Sequence, residues 1–398
     1  MPQEQPKPRA NYGGFGLEWQ NSIYLAGLSG KTPRLPLEPE VLEEKAKSKL
    51  APEAFDYAAG GAGSELTMKE NLAAFSRFQI VPRVLTNVEE RDLRTMLFGK
   101  TLPAPVLLAP VGVLSIIHQE GELGAARASA TLGLPYILST ASSHCIEEIA
   151  RVMGNSTRWF QLYFGKDREI NASFVSRAEA YGYSAIVVTL DTKILGWRER
   201  DLNRAYLPFL RGEGVANYLT DPVFRSKLPK PPEEDMRGAI LKFIGSALDP
   251  AFGWEDLNFL REHTKLPIVL KGVLHPEDAK KALDLGIDGI IVSNHGGRQV
   301  DGSISALQAL IAIRRDIGER IPILFDSGIR RGADAIKALA LGATAVLLGR
   351  NYVWGLALGG KEGVYEVVSN FLADLDLTLA LSGYASIGEL DENSIYKL

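Results

Sequence analysis

The sequence predicts an α/β fold, a (β/α)8 TIM barrel with an N-terminal arm and a long insertion after its fourth strand. Three observations predict it. Eight short β-branched or leucine-rich runs follow one another from about Pro103 onward: PVLLAP at 105, PYILST at 135, RWFQLYF at 158, SAIVVTLD at 184, PIVLKG at 267, DGIIVSNHG at 288, PILFDSG at 322 and AVLLGR at 345. Such runs read as parallel strands buried on both faces. Four of the intervening units repeat a small-residue helix, a glycine and then the strand, as in AKKALDLGIDGIIVS and AIKALALGATAVLLG, which is the pattern of an αβ unit. Polar residues gather where the apolar runs end, the place where barrels build their sites. Periodicity alone also admits an open doubly wound sheet, and the count of eight favours closure.

Residues 1 to 36 are rich in Pro, Gly and polar residues, with Tyr12, Phe15, Trp19 and Tyr24 interspersed, the composition of an arm that docks on a surface instead of folding alone. A helix is expected from Glu40 to Ala59, stopping at Gly60, Gly61 and Gly63, whose backbones reach angles that other residues resist. The arm and the start of this helix take residues 1–50, and the barrel domain takes 51–398. Within it, residues 195–254 lose the αβ pattern and carry Pro208, Pro222, Pro229, Pro231 and Pro232. That is too long for an ordinary βα loop. An insertion there sits over the C-terminal face of the barrel, where it can act as a lid; a disordered excursion is the alternative.

The 398 residues are 46% hydrophobic and 23% charged, enough apolar material for a large core. A net charge of -4 without a run of like charges argues against a nucleic-acid partner. Cys145 stands alone, so neither an intrachain disulfide nor a cysteine zinc site can form. The start MPQEQPKPRA lacks a secretory apolar stretch, and no segment approaches the roughly 18 apolar residues of a membrane span. A cytoplasmic protein is expected; Tyr396, Lys397 and Leu398 match the peroxisomal SKL address only in the last two positions.

The candidate chemical groups follow the apolar runs: Gln161 and Tyr163, Thr189 and Asp191, Lys271, Ser293, His295 and Arg298, and Asp326 to Arg330. A charged group beside a core must be paired or functional, because burying it alone is costly on the scale of the whole stability margin. SNHGGRQ sets His295 three residues before Arg298, so a base that titrates near neutrality shares a loop with a clamp for carboxylates. A structural histidine in a tight turn is the bland alternative. FDSGIRRGAD and LLGR supply glycines with Arg330 and Arg350 in the two loops where barrels bind phosphate, although helix caps also call for such glycines. His275 reads as a helix-start residue, while His118, His144 and His263 lack an obvious acidic or histidine partner.

SNHGGRQ, FQLYF, LDTKILGWRERD and FDSGIRRGAD are jointly specific. From about Tyr12 to Leu390 the chain resembles the FMN-dependent 2-hydroxy acid oxidases and dehydrogenases. The resemblance implies FMN as cofactor, with Pro110, Val111, Gly112, Ser139, Gln161 and Thr189 along the isoalloxazine ring. It implies Lys271 and Ser293 against the flavin too, and Asp326, Gly328, Arg330, Gly349 and Arg350 on the ribityl chain and phosphate. It also implies that His295 takes a proton from the substrate, that Asp191 stabilises the imidazolium, that Arg298 and Arg198 grip the carboxylate, and that Tyr57 and Tyr163 complete the pocket.

The implied partners are a small L-2-hydroxy acid, L-lactate foremost, and molecular oxygen, in a homo-oligomer, tetramer or octamer. Within the family, Gly112, DTKILGWRERDL and the stretches LPFLRG and NYLTDPVF are most similar to lactate monooxygenases, which cage pyruvate until peroxide decarboxylates it to acetate, carbon dioxide and water. Lys227 to Gly253 departs from that pattern. An oxidase releasing pyruvate and hydrogen peroxide is therefore the alternative, and a phosphate-binding barrel without turnover is a third reading.

Overall fold

All eight apolar runs form strands: β1 (Val106–Leu108), β2 (Tyr136–Ser139), β3 (Arg158–Tyr163), β4 (Ile186–Thr189), β5 (Ile268–Val273), β6 (Gly289–Val292), β7 (Ile323–Phe325) and β8 (Ala345–Leu348). They pair in chain order, all parallel, and β8 closes on β1 through Val346–Val106 and Leu348–Leu108. The closed barrel, and not the open sheet, is the fold. The structure is a computed structural model that describes residues 7–398; the first six residues of MPQEQPKPRA, and so the beginning of the expected arm, lie outside the described residues.

Strand alternation sorts the side chains. Leu107, Ile137, Trp159, Val187, Val269, Ile291, Leu324 and Leu347 form one buried cluster inside the barrel, and their neighbours in sequence join the larger core under the helices. Two residues further along each strand the same inward face continues. An antiparallel hairpin, Thr95–Leu97 with Lys100–Leu102, stoppers the lower end: Leu97 and Leu102 join the inner cluster, and Phe98 packs 5.5 Å from Trp159. Water is thus excluded from below, and the inward positions at the upper end face the side where the loops gather.

The expected helix from Glu40 to Ala59 is two helices, Pro39–Lys49 and Pro52–Ala59. The break is set by Pro52, which has no N–H to donate and forces Ala51 out of the helical region, at ψ 139°. The segment before it is more ordered than a simple arm. Phe15–Gly27 is a helix laid against the long C-terminal helix Arg350–Leu381, with Tyr12 and Phe15 buried and Tyr24 exposed.

The insertion between β4 and β5 is folded. It contains the helices Glu199–Asn203, Ala216–Leu219, Pro222–Ser226 and Met236–Ser246. Asn217, fully buried, fastens it to the barrel by donating to the Ser139 and Thr140 carbonyls at 3.2 and 3.1 Å and accepting from Ile146 N at 3.0 Å. Asp221, also buried, accepts from Arg177 at 3.0 Å and caps the Pro222–Ser226 helix at Phe224 N. These bonds satisfy groups that a loose loop would leave to water.

Asp376 ties the N-terminal segment down. It is wholly buried and accepts from Arg91 at 2.7 and 2.9 Å and from the Gly14 and Gly16 amides at 3.1 and 2.8 Å. Asp376→Ala leaves the Arg91 guanidinium buried without its partner, so equilibrium urea unfolding should show a loss of roughly 3–5 kcal/mol; a loss below about 1 kcal/mol would mean that the tie contributes little.

Candidate active site

The inward face that is apolar at the level of Ile137, Trp159, Val187, Val269 and Ile291 turns polar one step higher, at Ser139, Gln161, Thr189, Lys271 and Ser293. One further step brings Tyr163, Asp191 and His295 to the mouth. Above them lies a cavity whose empty space, counted with the solvent at its opening, is about 1520 Å³. Its lining brings together Tyr57, Tyr163, Arg198, His295 and Arg298, Pro110, Val111, Gly112 and Lys271, and Asp326, Gly328, Arg330, Gly349 and Arg350. Ser139, Gln161, Thr189 and Ser293 are buried a layer beneath, and Asp191 stands behind His295.

Asp191 Oδ1 accepts from His295 Nδ1 at 2.8 Å. The contact spans β5: at Gly272 the β5–β6 ladder shifts register, and a Cβ there would stand 2.7 Å from Asp191 Cγ. Glycine, at φ 99°, makes the room for the carboxylate. His295 itself holds φ 60°, a conformation that costs a β-carbon-bearing residue energy and persists only where its surroundings impose it. Here its amide donates to Ser293 Oγ at 3.0 Å, Gly296 N donates to Ser327 Oγ at 3.0 Å, and the Asn294 and Asn71 side-chain amides pair at 2.7 Å.

Burial pushes the His295 imidazole below its ordinary pKa of 6.5; Asp191 pulls it up, and Lys271 and Arg198 push it down. Burial also opposes charge on Asp191, yet His295, Lys271 and Thr192 hold its carboxyl below the usual range. The pair therefore rests as neutral imidazole and carboxylate. With Nδ1 given to Asp191, Nε2 is the nitrogen left to accept a proton at the cavity.

Arg298 donates to the Tyr57 and Gly60 carbonyls at 2.6 and 2.8 Å, with its guanidinium 5.2 Å from the Tyr57 ring centre. Arg198 donates to the Arg298 carbonyl at 3.1 Å and to Gln299 Oε1 at 2.7 Å. Burial, then the neighbouring Arg198 charge, pushes Arg298 down to about 10. Burial raises Tyr57 and Tyr163, so both hydroxyls stay protonated donors. Two cations that repel one another and two retained donors have the charge and hydrogen-bonding capacity to hold a carboxylate.

Burial and then Arg298 and Arg330 push Arg350 down to about 9; its guanidinium donates to the Ala58, Gly296 and Gly60 carbonyls at 3.2, 3.0 and 3.0 Å, and Gly60 O also accepts from Arg298 at 2.8 Å. Burial likewise lowers Arg330. Among the described residues neither has a carboxylate ion-pair partner, whereas Lys271 has Asp326 at 3.0 Å. The helix that begins after Gly349 has no side-chain cap, and a Cβ on Gly349 would meet nothing within 4 Å. That open N-terminus and two guanidiniums that lack a carboxylate partner among the described residues fit a phosphate. The strand-seven loop contributes fewer free amides than its glycines suggest: the Arg330 and Arg331 amides donate to Asp334 at 2.9 Å, and Gly332 N donates to Asp374 at 2.6 Å. Buried Gln161 Nε2 has no partner among the described residues while its Oε1 accepts from Ser139 Oγ at 3.0 Å. A donor so placed fits the polar edge of a flavin ring.

Several participants escape sequence reasoning. Gln299, beside Arg298 in SNHGGRQ, joins Arg198 to the Asp191 and Ile194 carbonyls at 2.8 and 3.0 Å. Thr192 donates to Asp191 at 3.0 Å, and Thr140, Ala141 and the insertion's own apolar residues join the lining. Their position in known motifs was the available signal for Gln299 and Thr192; the lining residues of the insertion had none. His144 does have an acidic partner, Glu122 Oε2 at 3.0 Å, whose hydrogen bond raises its pKa; the expectation that it lacks one fails because Glu122 lies 22 residues away in sequence. His275 caps the Pro276–Asp284 helix as expected.

Comparison with known proteins places these features. The FMN-dependent dehydrogenase family matches residues 46–397. An L-lactate oxidase of Lysinibacillus sphaericus is 46% identical over 94% of this chain and 96% of its own. The FMN-dependent alpha-hydroxy acid dehydrogenase qulF of Penicillium citrinum is 42% identical over 98% and 97%. Among solved structures, a mutant of an active chimera of (S)-mandelate dehydrogenase superposes with TM-score 0.82 at 37% identity, covering 91% of this chain and 99% of its own. A mandelate oxidase does so with TM-score 0.80 at 35% identity, covering 91% and 98%.

Replacing Arg330 and Arg350 together by Met should weaken FMN retention at least tenfold, read by fluorescence titration of FMN into flavin-stripped protein, since each charge-assisted bond is worth about 1.5–3 kcal/mol. Unchanged affinity in the double variant would remove these two side chains from the phosphate end.

Proposed function

The chain belongs to the FMN-dependent dehydrogenase family and carries out FMN-dependent oxidation of 2-hydroxy acids, and from that premise we propose that it is an L-2-hydroxy acid oxidase acting through His295, with L-lactate its smallest substrate. The observation that carries the reading is the 2.8 Å hydrogen bond between His295 and Asp191 in one cavity with the Arg198 and Arg298 guanidiniums.

In this reading Arg298 and Arg198 bind the substrate carboxylate, and the protonated Tyr57 and Tyr163 donate to its oxygens. Nε2 of His295 then accepts the substrate proton, and Asp191 stabilises the imidazolium that results. FMN, when bound, supplies the two-electron acceptor. Arg330, Arg350 and the Gly349 helix end would hold its phosphate, with Asp326 and Gly328 along the ribityl chain. Gln161, Ser139, Thr189, Ser293 and Lys271 would face its ring from below, and Pro110, Val111 and Gly112 would pack on its face. The Lys271 ammonium favours negative charge gathering at that edge. At Gly112 a Cβ would stand 2.3 Å from the Ala141 carbonyl, so an alanine there requires the loop after β2 to move.

Molecular oxygen is the proposed final acceptor, with the keto acid and hydrogen peroxide released. Release is favoured by the mouth of the cavity, where lining residues Leu195 and Ile244 are 46% and 41% exposed. A caged, lactate-monooxygenase outcome is the second reading, and the fastening of the insertion through Asn217 and Asp221 is what favours it, since a cage needs slow product escape. A self-assembled oligomer remains the proposed quaternary form, with the small acid and oxygen as its other partners. Product analysis under air separates the two outcomes: the proposal expects pyruvate and peroxide from L-lactate in equal amounts, and acetate with carbon dioxide in their place would establish the caged route.

Because His295 must be neutral to act and burial holds it low, kcat/KM should rise with pH through an apparent pKa below 6.5 and then level off. Asp191→Asn removes the group that pulls this pKa up. The acid limb should therefore move to still lower pH, while kcat falls by about a hundredfold or more for want of a partner to the imidazolium. A limb that stays in place in the variant would show that another group sets it.

A further inference from the structure

We propose that the acid this site is shaped for carries a bulky, neutral, apolar side chain in place of the methyl group of lactate. The inference rests on the 2-hydroxy acid reading above and adds the substrate class. The groups that address the carboxylate and the carbon beside it are only part of the cavity's lining. Its lining also includes an apolar chamber wall supplied by the insertion, Leu195, Leu207, Phe209, Phe243, Ile244 and Leu248. The Phe209 and Phe243 rings stand 5.6 Å apart, and Tyr218 packs 4.8 Å from Phe243.

None of those six side chains is polar; the one polar atom beside them, the Tyr218 hydroxyl, is buried without a partner among the described residues. Phe243, Ile244 and Leu248 come from the Met236–Ser246 helix and the turn after it, within the stretch from Lys227 to Gly253 that departs from the lactate-monooxygenase pattern. Half of this wall thus comes from the departing stretch, while Leu195, Leu207 and Phe209 come from DTKILGWRERDL and LPFLRG, which fit that pattern. The wall is more than internal packing of a lid, because Leu195 and Ile244 line the empty space and are also 46% and 41% exposed. A methyl group would leave this wall wet, whereas an alkyl chain or aromatic ring would cover it. Each methylene buried against such a wall is worth about fourfold in binding.

The test is kcat/KM of the FMN-loaded enzyme on L-lactate and on L-2-hydroxyhexanoate, in the wild type and in two variants that fill the chamber, Ala247→Phe and Leu248→Trp, with melting temperature and FMN content confirming that each is folded. Three added methylenes at a partly open wall should favour 2-hydroxyhexanoate at least tenfold in the wild type, and the preference should collapse toward parity in a folded variant. Titration with the unreactive 2-oxohexanoate and pyruvate should show the same order in Kd. Equal or better use of L-lactate by the wild type overturns the inference and leaves the 2-hydroxy acid reading standing. A preference that persists in both folded variants overturns the placement of the side chain in this chamber. Failure to turn over any 2-hydroxy acid overturns both.

Discussion

The hydrogen bond from His295 to Asp191, 2.8 Å long between residues 104 positions apart in sequence, is the contact on which the rest of the arrangement depends. It exists because a closed barrel of parallel strands brings the ends of β4 and β6 to either side of β5, and because Gly272 lacks the side chain that would fill the gap. It fixes which imidazole nitrogen is basic and where that nitrogen points. The left-handed backbone at His295 is held by Ser293, Ser327 and Asn294, so the barrel spends stability on the position of one ring.

Around that contact the charge is unbalanced. Among the described residues, five cationic side chains, Arg198, Lys271, Arg298, Arg330 and Arg350, line one cavity together with a single carboxylate, Asp326. Burial and mutual repulsion hold Arg298 and Arg350 well below their ordinary range. Buried charges of one sign are stable only if something of the other sign completes them. In the proposed reading two anions complete them, the phosphate of FMN at Arg330 and Arg350 and a substrate carboxylate at Arg198 and Arg298. The hydrophobic hairpin below and the folded insertion above keep the dielectric low, so these charges act at close to full strength.

Much of this was legible in the sequence, for a physical reason. Buried parallel strands announce themselves as apolar runs, and the two-residue alternation within them then tells which polar residues beyond the run point inward, as with Trp159, Gln161 and Tyr163. What was not legible was whatever depends on contacts distant in sequence. Glu122 and His144 pair across an αβ unit, Gln299 bridges two loops, and the apolar residues of the insertion become a chamber wall only when the segment folds over the barrel. The single helix expected across Pro52 illustrates a different failure: helical periodicity outweighed a local steric rule that was visible in the residues themselves.

The central claim is that His295 is the group that accepts the substrate proton. Anaerobic mixing of FMN-loaded wild type and His295→Gln with a saturating L-2-hydroxy acid tests it directly, followed by the absorbance of the FMN band. The account predicts rapid bleaching of the wild type and bleaching slowed by about a thousandfold or more in a variant that keeps its FMN. Bleaching of that variant at the wild-type rate would contradict it.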